Sequence, residues 1–169
     1  MRNVIVVLVV GLLVVVGNVL AGTPGVDYSF GEWATDTGLP IGSVSVNAEW
    51  AGITIIEADD LMGMNNLEEL FLAGNDISSI EAGAFSEKQN LYRLYIYTNP
   101  LVVLNLGGAQ LRDLNHFSIR ECPVDTVDMT NAEFSQLAFS TLMIGRGGLN
   151  RGIATEGVIE MDFSGANLS

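Results

Sequence analysis

Leu67-Glu68-Glu69-Leu70-Phe71-Leu72-Ala73-Gly74-Asn75-Asp76-Ile77 reads L-x-x-L-x-L-x-x-N-x-I. Twenty-four residues later Leu91, Leu94, Ile96, Asn99 and Leu101 fill the same five positions. Twenty-three further on come Leu114, Phe117, Ile119, Cys122 and Val124, with cysteine in the asparagine slot. Upstream the pattern thins but keeps step: Ile53 and Ile56 precede Ile77 and Ile80 by 24, and Leu61 precedes Phe85 by 24. Near the end Val158, Met161, Phe163, Ala166 and Leu168 give one more match. A fixed period of this length marks a stacked repeat.

Leu70 and Leu72 are two apart, which puts both on one face of a short strand. Stacking would bury that face between neighbouring coils, since no single coil can bury its own. Asn75 and Asn99 would stack as a ladder, their amides satisfying backbone groups where the chain turns. Cys122 reads as a small buried residue in that ladder, structural rather than reactive.

This pattern resembles the leucine-rich repeat family, over residues 43–169 and most closely over 67–124. Ile80-Glu81-Ala82-Gly83-Ala84-Phe85 is similar to the convex half of the family's 24-residue extracellular type, in which a phenylalanine plugs the core. The resemblance implies an α/β-type, β-rich repeat: a right-handed solenoid of short parallel strands. It also implies protein recognition as the commonest use.

A second period enters after Phe117. Ile119, Val124, Met129, Phe134, Phe139, Ile144 and Leu149 fall every five residues. Ala132-Glu133-Phe134-Ser135-Gln136 resembles a pentapeptide repeat, so a pentapeptide-type β-helix is the alternative for 125–169. In leucine-rich register the favoured start of this coil is Phe139, with Leu142 and Ile144; a start at Phe134 is the alternative. The pattern stops on a strand position at Leu168-Ser169, which leads to the expectation that the solenoid is truncated there or continues.

The chain opens with Arg2 and an apolar run from Val4 to Val16, broken by Gly11. Val19-Leu20-Ala21 then suits signal peptidase, so residues 1–21 read as an export signal cleaved after Ala21. Retention as a membrane anchor is the other reading. Residues 22–42 read as a leader and N-terminal cap, with Tyr28, Phe30 and Trp33 over the first coil. The expected location is the periplasm, the cell surface or the medium.

In a solenoid the residues flanking the inward leucines point outward, in columns about 4.8 Å apart. The successive coils offer Ser45, Asn47, Glu49 and Trp50; then Glu69, Phe71 and Ala73; then Arg93, Tyr95, Tyr97 and Thr98. After these come His116, Ser118, Arg120 and Glu121, then Thr141, Met143, Gly145 and Arg146, and last Glu160, Asp162 and Ser164. The expected recognition surface comprises Trp50, Glu69, Phe71, Arg93, Tyr95, Tyr97, His116 and Arg120. Aromatics beside arginine are the residue types that dominate interface hot spots. The competing reading has Phe71 and Tyr95 covering the sheet while Glu69 pairs with Arg93 across strands.

The 169 residues carry 20 acidic and 7 basic side chains, a net charge of −13. That balance argues against nucleic acid and against an anionic membrane face. With 49% hydrophobic and 16% charged residues the chain is not of disordered composition. One histidine excludes zinc sites built from several His and Cys ligands. His116 has no nucleophile elbow to serve, and the glycines from Gly145 to Gly157 lack a phosphate loop's lysine. Glu57, Asp59 and Asp60 cluster without calcium-loop spacing and read as a solvated turn rather than a metal site. The sequence therefore predicts an exported, non-catalytic module with no cofactor, binding a protein or surface polymer. A spacer or adhesion segment of a larger surface protein is the alternative.

Overall fold

In the computed structural model the chain runs β1 (Ile5–Val9), β2 (Leu12–Val16), α1 (Phe30–Thr37), β3 (Ser45–Asn47) and β4 (Ile55–Ile56). It continues through β5 (Glu69–Phe71), β6 (Ser79–Ile80), β7 (Arg93–Tyr95) and β8 (Val103–Asn105). The last strands are β9 (His116–Arg120), β10 (Thr126–Asp128), β11 (Met143–Gly145) and β12 (Glu160–Asp162). The structure describes residues 27–135 together with the backbones of β1, β2, β11 and β12.

Each repeat yields a short strand whose second residue is inward. Val46, Leu70, Leu94 and Phe117 are opposite one another in successive parallel pairs. These strands form one five-stranded sheet in the order β11-β9-β7-β5-β3. The ladder runs past the strand ends, because the Leu72 amide donates to the Tyr95 carbonyl at 2.7 Å and the Ile96 amide to Ser118 at 2.8 Å. The return limbs pair as β4-β6 and as β8-β10-β12, also in parallel. The result is a parallel β-solenoid of about four turns. Inward residues of both limbs join one buried cluster, from Tyr28 to Phe134. Burial of a Leu or Ile contributes about 1.5–3 kcal/mol, and here each gains it only against the neighbouring coils.

The asparagine ladder is present. Asn75 accepts from the Ile53 amide at 3.1 Å and donates to the carbonyls of Ala48 (2.8 Å) and Leu72 (2.9 Å). Asn99 accepts from Ile77 at 3.0 Å and donates to Leu72 (3.0 Å) and Ile96 (2.7 Å). The Cys122 thiol takes the third place, donating to the Ile96 carbonyl at 3.3 Å.

The residue before each slot bends the chain inward through left-handed backbone: Gly74 (φ 69°), Thr98 (φ 58°) and Glu121 (φ 61°). Trp50 (φ 56°) occupies the corresponding place in the first coil. Glycine alone adopts this conformation without steric cost.

Residues ahead of the first coil close one edge. Ser29 caps α1 in a reciprocal capping box with Glu32, and Gly38 ends the helix at φ 70°. Ser29 also bridges Ile55 in parallel, and the Thr54 amide donates to Tyr28 at 2.9 Å. Phe30 is fully buried and meets Trp33 at 5.4 Å between ring centroids. The outer edge of β4 is thereby covered.

The repeat is β-rich, as expected: among the described residues the α-helix is α1, ahead of the first coil. The return runs, Ile53 to Ile56, Ile77 to Ile80 and Leu101 to Leu104, are rich in β-branched residues and serine, which favour extended backbone. One expectation, on the final repeat, is corrected. Met161 pairs with Val127 in the return sheet, so Glu160 and Asp162 do not extend the face formed by β3 to β11. Period-two alternation marks a strand without saying which limb it joins. The coil before it keeps the favoured register, since Ile144 lies opposite Ile119 as a start at Phe139 requires.

β1 and β2 pair antiparallel, Ile5 opposite Val16. The expected cleavage point at Ala21 lies outside the described residues, as do Phe139, Leu149 and the Val158 position of the last repeat. Among the described residues no helix is long and apolar enough to cross a membrane.

Candidate functional site

The five-stranded sheet sets its outward side chains in columns. Ser45, Glu69, Arg93 and His116 follow one another in register. Asn47, Phe71, Tyr95 and Ser118 form the next column. Phe71 and Tyr95 meet edge to face at 5.5 Å between centroids, and Tyr95 lies 6.1 Å from Tyr97. Three aromatic rings therefore form a continuous half-buried strip across two coils.

Trp50 stands at the margin, 75% exposed. Its indole rests against Gly74, where an added Cβ would collide with the ring. The missing side chain is what seats the tryptophan.

The charged groups are less available than the sequence suggested. Arg93 donates to Glu69 at 2.6 Å and lies 5.0 Å over the Tyr92 ring. Glu69 also accepts from the hydroxyls of Tyr92 (2.8 Å) and Ser45 (2.9 Å). The Tyr92 bond first, then that of Ser45, holds the Glu69 carboxyl below its ordinary range. The same bond pushes the Tyr92 phenol up. Burial, then the charge of Glu49, raises the Tyr97 phenol, which donates to Glu49 at 3.4 Å. The Glu69–Arg93 pairing weighed against recognition is thus present alongside the aromatic strip. Arg120 is exposed and makes no ion pair among the described residues. His116 is half-buried against Tyr92, 6.2 Å between centroids.

All eight expected residues lie on this one side, but Ala73 and Ser118, also read as outward, are buried. Ser118 Oγ and Arg93 Nε have no hydrogen-bond partner among the described residues. Sequence reasoning missed Tyr92, which links Glu69, Arg93 and His116. It sits directly after an inward leucine, where the repeat pattern assigns no role.

Glu57, Asp59 and Asp60 bring one carboxylate oxygen each within 4.8 Å of the others. Asp60 already accepts from Ser29 Oγ (3.0 Å) and the Glu57 amide (2.8 Å), clamping the turn to the start of α1. Burial raises its carboxyl above the ordinary value, against the pull of those bonds.

The strand face thus presents three aromatic rings beside the exposed Trp50 and Arg120. No protein-family model, curated protein or solved structure matches the chain.

Proposed function

We propose that this chain is an exported, non-catalytic binding module of the leucine-rich repeat type, which recognises a protein or a surface polymer on its strand face. The observation that carries the reading is the strip of Phe71, Tyr95 and Tyr97, with Trp50 exposed at its margin. Rigid aromatic rings on a sheet supply contact area at little entropic cost. The period of the repeat and the Asn75–Asn99–Cys122 ladder support the repeat type.

The test is capture from the organism's surface and secreted fractions, with the Phe71→Ala/Tyr95→Ala variant beside the parent. A partner held by the parent and weakened about tenfold or more in the variant is the expected result. Trp50→Ala, which removes an exposed ring and no core packing, is expected to weaken the same capture. Equal capture by all three proteins would sink the strand-face reading. Capture of nothing by a folded parent would favour the spacer or adhesion segment.

A further inference from the structure

Positive charge is unevenly placed along this chain. From Asn3 to Glu87 the sequence has no Lys, Arg or His. The cap and the first coil, ahead of the Glu69–Arg93 pair, therefore hold acidic groups with no cation of their own stretch to offset them.

A cleft of about 500 Å³ opens in this region, between α1 and the first coil. Its apolar lining comes from Leu39, Ile41, Met62 and Met64. Ile41 is 65% exposed and Met62 is 72% exposed. Glu57, Asp59 and Asp60 line it too, with Glu32 and Asp36 of α1. Three of these carboxylates have internal work. Glu32 completes the capping box, Asp36 accepts from the Tyr28 hydroxyl at 3.3 Å, and Asp60 clamps the turn. Glu57 and Asp59 are exposed at the rim. Repulsion from Asp60 is the main cause that raises the Glu57 carboxyl.

A cation alone would answer the rim and leave Ile41 and Met62 in water. An apolar ligand alone would leave the rim uncompensated. We propose that this cleft docks an extended peptide segment of a partner protein in which Lys or Arg alternates with apolar side chains. The cations would meet Glu57 and Asp59, and the apolar side chains would cover Ile41 and Met62. The site is separate from the strand face and does not depend on that reading.

The probe is a fluorescein-labelled Leu-Lys-Leu-Arg-Leu peptide, titrated into the full chain at low salt and followed by anisotropy. Glu57→Gln/Asp59→Asn is expected to weaken binding about tenfold, as is Ile41→Ser/Met62→Ser. All four side chains are exposed, and circular dichroism checks that the variants stay folded. Asp113→Asn/Asp125→Asn, which removes the same charge elsewhere, is expected to leave binding unchanged. A peptide with glycine for each leucine should bind about tenfold more weakly or worse. Equal binding of the glycine peptide, or equal loss in the remote charge variant, would show diffuse electrostatics and overturn the proposal. Unchanged binding in both cleft variants would overturn it too. So would self-association lost in the Ile41/Met62 variant without peptide binding, since the occupant would then be a second copy.

Discussion

Asn99 makes hydrogen bonds to two neighbouring turns of backbone, and its amide is buried. Asn99→Ala leaves the Ile77 amide and the carbonyls of Leu72, Ile96 and Tyr97 without that partner. It is expected to cost about 2–4 kcal/mol, read as a lower urea midpoint. Cys122 occupies the same slot, where burial raises its thiol above the ordinary value. Its reaction with a disulfide reagent at mildly alkaline pH is expected to be slow in the native state and fast after unfolding. Gly74 carries two constraints, the left-handed backbone and the Trp50 ring above it. Gly74→Ala is expected to cost about 1–2 kcal/mol from the backbone alone. It should also shift Trp50 fluorescence, measured with Trp33 replaced by Phe. The ladder was legible because it recurs at a fixed place in the period. The left-handed corner was not, because Thr98 and Glu121 fill it as well as Gly74, and neither residue type announces that conformation.

At the scale of the element, the inward strand residues could be read two by two from the sequence. The return limbs could not. Their Ile-x-x-Ile spacing fits a helix face as readily as a short extended run, and β-branching decides between them only weakly. Lys88 is a second case. It lies buried on the return side, with its Nζ donating to the Ser86 carbonyl at 3.1 Å. Nothing in the sequence marks it as buried, and lysine is seldom found so. Burial holds its ammonium below the ordinary lysine range. The unfolded chain therefore keeps that proton to higher pH than the fold does. Stability should rise as pH climbs from the folded value towards the unfolded one of about 10.4. Lys88→Met is expected to raise the denaturation midpoint at neutral pH and to flatten that alkaline rise.

Over the whole molecule, the acidic excess sets the response to pH. Glu57 and Asp60 have raised carboxyls, so their unfavourable charge is relieved as pH falls through their folded values. Glu69 has a lowered carboxyl, so its contribution is present above the unfolded value of about 4.3 and is lost as pH falls through the folded one. The melting temperature is expected to rise on mild acidification and to fall once Glu69 takes its proton. Glu69→Gln should blunt the acid limb of that profile. The strand-face cluster was legible in outline because register alone sets its columns. The engagement of Arg93 by Tyr92 was not, since it depends on a side chain the repeat leaves unassigned.

The parallel stacking has a mechanical consequence. In the main sheet each coil is paired with its neighbours in the row, Leu70 with Leu94 and Leu94 with Phe117. Tension along the axis loads a few of these bonds at a time, as in a zipper, rather than the whole ladder in shear. A chain pulled from its two ends should therefore yield in small steps. Each step would release one coil, or roughly 80 Å of contour length for an extended chain of that period.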